Sequence, residues 1–110
     1  MTRAGERPRL VMDSGVVWEQ LASNTGPDLD FMEILYPPHS SSTNDERMLR
    51  HAGFEFGYLM EGELEVTVGF DVFTLHAGES MGFDSVTPHL FRNLGDTPAR
   101  GIWCINHPRL

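Results

Sequence analysis

The stretch His51-Ala-Gly-Phe-Glu55-Phe-Gly-Tyr-Leu-Met-Glu-Gly62 sets the frame for the whole chain. Ala52-Gly53-Phe54 lets the backbone turn, so His51 and Glu55 fall on neighbouring strand ends, and Gly62 closes the next strand in a tight turn. Its partner lies later, between Gly78 and Asn93. In His89-Leu-Phe-Arg-Asn93 the odd positions, His89, Phe91 and Asn93, share one face of a strand. Inside a small β-barrel, His51, Glu55 and His89 would aim inward from different strands. Two imidazoles and a carboxylate suit a divalent transition metal (zinc, iron, manganese or nickel) and leave about three octahedral positions for water or a small ligand. The alternative is a metal-free site in which the three side chains hydrogen-bond inside a polar cavity.

Outward from that stretch the chain reads as short strands and turns. Leu64, Val66 and Val68 alternate with Glu65 and Thr67, the period of a half-buried strand. Gly69-Phe70 is a two-residue hairpin turn, and Val72 to Leu75 returns beside it. Further strands are expected at Pro8–Met12, Val16–Leu21, Asp28–Tyr36, Glu79–Phe83, His89–Asn93 and Ala99–Ile105. Leu49 and His51 would point the same way along another. Turns fall at Asp13-Ser-Gly15, at Asp84–Pro88 and at Leu94–Pro98, with loops over Ser23–Pro27 and Pro37–Asp45 and a tail from Asn106. No segment carries sustained helical periodicity. Many short strands with turns every 8–12 residues indicate an all-β sandwich or barrel, with residues 1–7 a loose arm and 8–110 one domain. Asp28–Tyr36 is apolar on both faces, which suits a strand between two layers or at a dimer contact.

These residues resemble the two cupin motifs, G-x5-H-x-H-x3–4-E-x6-G and G-x5-P-x-G-x2-H-x3-N. His51 matches the second histidine of the first motif, Glu55 its glutamate and Gly62 its closing glycine. Gly78, His89 and Asn93 match the first glycine, the histidine and the asparagine of the second. The likeness runs from about Arg7 to Pro108. It is strongest to the cupin domains that follow helix-turn-helix domains in bacterial regulators, through Glu55–Leu64 and Pro88–Asp96. It implies a double-stranded β-helix (jelly-roll) barrel, a homodimer and a metal at the barrel centre. The chain departs from the pattern at Leu49, where the first histidine would stand, at Thr43, where the opening glycine would stand, and at Asp84-Ser-Val86 in place of Pro-x-Gly. What remains is a His/Glu/His ligand set.

Barrel pockets are mainly apolar with a few orienting polar groups. Leu49, Phe83, Phe91, Trp103 and Tyr58 are the expected pocket residues, with Trp18 nearby and Phe91 foremost because it follows His89 on the same face. Arg47, Arg50 and Arg92 either pair with an anionic ligand or are solvated. His39 is a solvated loop residue or a rim residue that closes over a ligand. His76 is exposed. Cys104, between Trp103 and Ile105, reads as a buried packing residue or else a reactive thiol.

The chain has 16 acidic residues against 8 arginines, no lysine and a net charge of −8. Such a surface repels nucleic acid and anionic lipid, so direct DNA binding by this chain is not expected. No apolar run reaches the ~20 residues of a membrane span, and the N-terminus has no signal-peptide core. A single cysteine fits a reducing cytoplasm. The expected role is a sensor or binding module for a small molecule. The alternative is a stand-alone metal-dependent enzyme, a dioxygenase or isomerase, acting on a small organic substrate.

Overall fold

The computed structural model describes residues 1–22, 28–43 and 47–106. The loop expected over 23–27, part of the polar loop (44–46) and the tail beyond Asn106 lie outside the described residues. A short 3-10 turn, Ala4–Glu6, precedes ten strands: β1 Arg9–Val11, β2 Val17–Gln20, β3 Leu29–Tyr36, β4 Ser40–Ser41, β5 Phe54–Glu61, β6 Glu63–Val68, β7 Asp71–His76, β8 Ser80–Asp84, β9 His89–Asn93 and β10 Ala99–Asn106. They form two antiparallel sheets, of order β1-β2-β3-β10-β5-β8 and β4-β9-β6-β7. This is the expected all-β jelly roll.

Alternation decides what faces the space between the sheets. Glu55, Gly57 and Leu59 of β5, Met32, Ile34 and Tyr36 of β3, and Ala99, Gly101, Trp103 and Ile105 of β10 are buried. Leu64, Val66 and Phe91 close on them from the other sheet. The interleaved residues face out, as a period of two requires. The β6–β7 hairpin forms as expected: Val68 pairs with Asp71, and Gly69 takes φ +60°. Asp84–Pro88 also turns as expected, with the Thr87 N–H donated to the Asp84 carbonyl at 3.0 Å.

Two glycine sites shape the barrel. Gly62 lies between β5 and β6, where the chain passes from one sheet to the other. Its φ is +82°, and a Cβ there would lie 2.4 Å from the Pro98 carbonyl oxygen. Gly57 and Gly101 instead make room for an indole. Added Cβ atoms would approach the Trp103 ring to 2.9 Å and 2.6 Å, so Trp103 lies flat over two side-chain-free positions.

Three local expectations change. No strand runs through Leu49 and His51; Leu49 makes a single bridge to His89, and Gly53, at φ +113°, turns the chain into β5. Part of the polar loop is a strand after all, β4, whose Ser40 and Ser41 pair with Asn93 and Arg92. Cys104 is partly buried on the outer face, because Trp103 and Ile105 take the inner one.

Candidate metal centre

The backbone brings three donor side chains together. The Leu49 and His89 peptide groups exchange two hydrogen bonds of 2.8 Å. The His51 N–H is donated to the Ser85 carbonyl at 2.9 Å, and the Ser85 N–H to the Gly53 carbonyl at 2.8 Å. The turn before β9 therefore clamps the segment before β5. Glu55, the second residue of β5, pairs with Ile105 and Phe83, and His89 opens β9.

The three expected ligands meet. Nε2 of His51 lies 2.7 Å from Glu55 Oε1, and Nε2 of His89 lies 3.1 Å from the same oxygen. One donor atom from each residue falls within 4.8 Å of the other two. Two ligands held about 2.1 Å from an ion at right angles stand about 3.0 Å apart, so the two measured separations bracket that of neighbouring coordination positions. Glu55 and His89 are 3% and 1% exposed, and His51 forms the partly open side.

His89 carries the strongest indication. Its Nδ1 lies 2.8 Å from the Thr87 carbonyl oxygen, an acceptor, so Nδ1 carries the proton and Nε2 of the neutral ring presents a lone pair. In that neutral state the buried Nε2 has no hydrogen-bond partner, since it has no proton to donate to Glu55 Oε1, 3.1 Å away. A lone pair facing a carboxylate oxygen calls for a proton or a cation between them. Burial lowers the His89 pKa, but hydrogen bonding and charge from Glu55, together with the Thr87 carbonyl, outweigh it, and the net shift is upward. The residues present fit a metal of borderline character.

Beside the donors lies a cavity of about 180 Å³. Leu49, Phe91 and Trp103 line it as expected, and so does Trp18. Leu49 is 40% exposed and stands at the mouth. Two expected pocket residues lie elsewhere. Tyr58 is 47% exposed, because it is three residues from Glu55 and takes the opposite face of β5. Phe83 packs against the His89 ring, centroids 4.9 Å apart, and supports the histidine without lining the cavity. Tyr36, Ile34 and Asp30 line it and were not expected there. Their signal was parity: all three share a face with Met32. Burial first, then the Glu55 carboxylate, holds the Tyr36 phenol pKa above its usual range.

The remaining candidates sit outside the cavity wall. Arg92 pairs with Glu65, Nε to Oε1 at 2.8 Å, and Arg47 and Arg50 are exposed. His39 Nε2 lies 2.8 Å from Asp96 Oδ1 on the surface, away from the cavity. Asn93 serves the fold. Its Nδ2 donates to the carbonyls of Tyr36 (3.0 Å), Pro37 (3.2 Å) and Thr97 (2.8 Å), and its Oδ1 accepts from the Gly95 N–H (3.0 Å). It ties the end of β3 to the turn before β10.

Comparison with known proteins agrees with this architecture. The Cupin domain model, Cupin_2, matches residues 32–105. The HTH-type transcriptional regulator PuuR of Escherichia coli (strain K12) is 32% identical over 82 residues, 74% of this chain and 44% of that protein. The chain thus spans less than half the length of the curated relative it matches. The crystal structure of the Cupin_2 domain of an XRE family transcriptional regulator from Enterobacter cloacae superposes with a TM-score of 0.73 at 24% identity, covering 86% of this chain and 98% of that one. An RmlC-like cupin from Shewanella frigidimarina NCIMB 400 superposes with a TM-score of 0.81 at 18% identity, covering 99% of this chain and 91% of that one. With two-thirds of its length matched by the family model and its fold shared with these barrels, the chain belongs to the cupin domain family.

Proposed function

We propose that this cupin barrel binds a divalent metal through His51, Glu55 and His89 and a small molecule in the adjoining cavity, and that it serves as a sensor or binding module related to the cupin domains of transcriptional regulators. The buried Nε2 of His89, 3.1 Å from Glu55 Oε1 and with no hydrogen-bond partner in the neutral ring, carries this reading, since two buried acceptors that face each other are costly unless a cation lies between them. The likeness to regulators supports the sensory role. A net charge of −8 leaves DNA contact to another segment or partner. A cytoplasmic setting accords with the single cysteine.

The test is elemental analysis of tag-free protein purified without chelator. Near-stoichiometric iron, manganese, nickel or zinc is expected. Absence of metal, and no uptake when these ions are added, overturns the reading.

Open coordination positions favour a second reading, a metal-dependent enzyme. Oxygen uptake by iron-loaded protein in the presence of candidate substrates would support it; an inert protein would weaken the oxygenase form.

The barrel is also proposed to pair with a second copy. Phe54, Phe56 and Tyr58 form an exposed apolar row on the outer face of β5, beside the outer face of β3 across β10. Gel filtration at micromolar concentration should give the mass of a dimer, and a monomer there would remove the proposal.

A further inference from the structure

The cavity wall has a charge pattern that selects among ligands, given the metal reading proposed above. Two carboxylates, Glu55 and Asp30, reach the cavity, and among the described residues no arginine lines it, its only basic groups being the donor histidines His51 and His89. The chain has no lysine, and Arg92 is engaged by Glu65. A divalent ion held by Glu55 and two neutral imidazoles keeps one positive charge that its own ligands do not cancel. In an apolar enclosure that charge strongly favours one anionic ligand atom. A second anionic group would find no arginine among the described wall residues and would face Asp30. Tyr36 adds a neutral donor and no charge, its phenol held protonated by burial.

The rest of the wall reads size. Beyond the donors its buried apolar part is Val16, Ile34, Phe91, Trp103 and Ile105, with Trp18, Ser42 and the more open Leu49 completing the wall. A cavity of 150 Å³ lined by aliphatic and aromatic residues holds a benzene-sized guest, so about 180 Å³ suits a body of roughly six to ten non-hydrogen atoms.

We propose that the cavity takes a compact organic monoanion: a single carboxylate-type oxygen head on the metal, an apolar aromatic or branched body against Phe91 and Trp103, and no second charged group. The metal neutralises the head, and the body displaces water from the apolar wall.

The full chain is loaded with zinc, its metal content is measured on the same sample, and it is titrated calorimetrically with acetate, benzoate, 2-naphthoate and terephthalate. Acetate has the head without the body, 2-naphthoate exceeds the cavity, and terephthalate adds a second carboxylate. Benzoate is expected to bind at least about tenfold more tightly than each of the other three, because it alone combines a fitting apolar body with a single charge. Metal-free protein should bind benzoate at least about tenfold more weakly than the zinc form.

Acetate equal to benzoate overturns the role of the body. Naphthoate equal to benzoate overturns the size limit. Terephthalate equal to benzoate overturns the single charge. Metal-free protein equal to the zinc form overturns the head on the metal. A zinc-loaded protein that binds none of the four overturns this ligand assignment while leaving the metal site standing. A protein that takes up no zinc, iron, manganese or nickel overturns the metal reading and this inference with it.

Discussion

Among the described residues two clusters set histidine beside glutamate, and they share residue types but neither geometry nor burial. At the barrel mouth, one Glu55 oxygen lies 2.7 Å from His51 Nε2 and 3.1 Å from His89 Nε2. Two rings converge on one acceptor. On the surface, His76 stands between two carboxylates, its Nδ1 3.0 Å from Glu79 and its Nε2 3.7 Å from Glu63. One ring there diverges to two acceptors from opposite edges, which cannot chelate a single ion. The carboxyl of Glu79 is held below its usual range, first by the His76 backbone N–H and then by its side chain, so the group is already satisfied. All three surface side chains are more than half exposed. Convergence and burial, rather than residue type, separate a candidate metal centre from a solvated charge cluster.

The comparison breaks most sharply at His89. His89→Ala should abolish metal retention through purification while the far-UV circular dichroism stays that of the folded barrel. A variant that keeps stoichiometric metal would remove His89 from the ligand set. Glu55→Gln comes next. Loss of a residue that merely supports a ligand costs about 10–100-fold in metal affinity, so loss of the carboxylate itself should cost at least about a hundredfold in competition with a chelating dye.

A smaller effect follows from the His89 pKa. In chelated, metal-free protein, protonated His89 and Glu55 stabilise each other. Because the folded-state pKa is raised, that stabilisation is fully present below the unfolded value of about 6.5 and is lost as pH rises through the folded value. Metal uptake has the opposite sign, weakening as protons compete at low pH. Chemical denaturation should show the metal-free wild type losing its advantage over His89→Gln as pH rises; a constant gap would contradict the pairing. At the far end, His76→Ala should leave metal content unchanged. Metal loss in that variant would undo the distinction between the two clusters.

The alternation of β6, the Gly69-Phe70 hairpin and the corner at Gly62 were legible because each is a local rule with a visible residue signature. The His51/Glu55/His89 cluster was legible because the spacing of His51, Glu55, Gly62, His89 and Asn93 carries a family pattern. What failed was facing. Placing Glu55 and Tyr58 in the same cavity ignored a parity that an odd step of three residues along a strand must reverse. Tyr36 was overlooked for the complementary reason, although it shares parity with Met32 and Ile34. Phe83 shows another limit: it reaches His89 from the opposite sheet, and separation along the chain does not reveal which side of a ring a neighbour will cover. Strand β4 was hidden in a Ser-rich run whose pairing is set by β9, not by its own composition.

Trp18 and Trp103 are the protein's two tryptophans, and both lie on the cavity wall. All indole emission therefore originates at one place in the molecule. The flat seat of Trp103 over Gly57 and Gly101 fixes one of the two fluorophores against the wall, where a quenching ion or an absorbing guest would darken or shift it. The barrel thus comes with its own optical probe, and cavity occupancy can be followed in unmodified protein without any label.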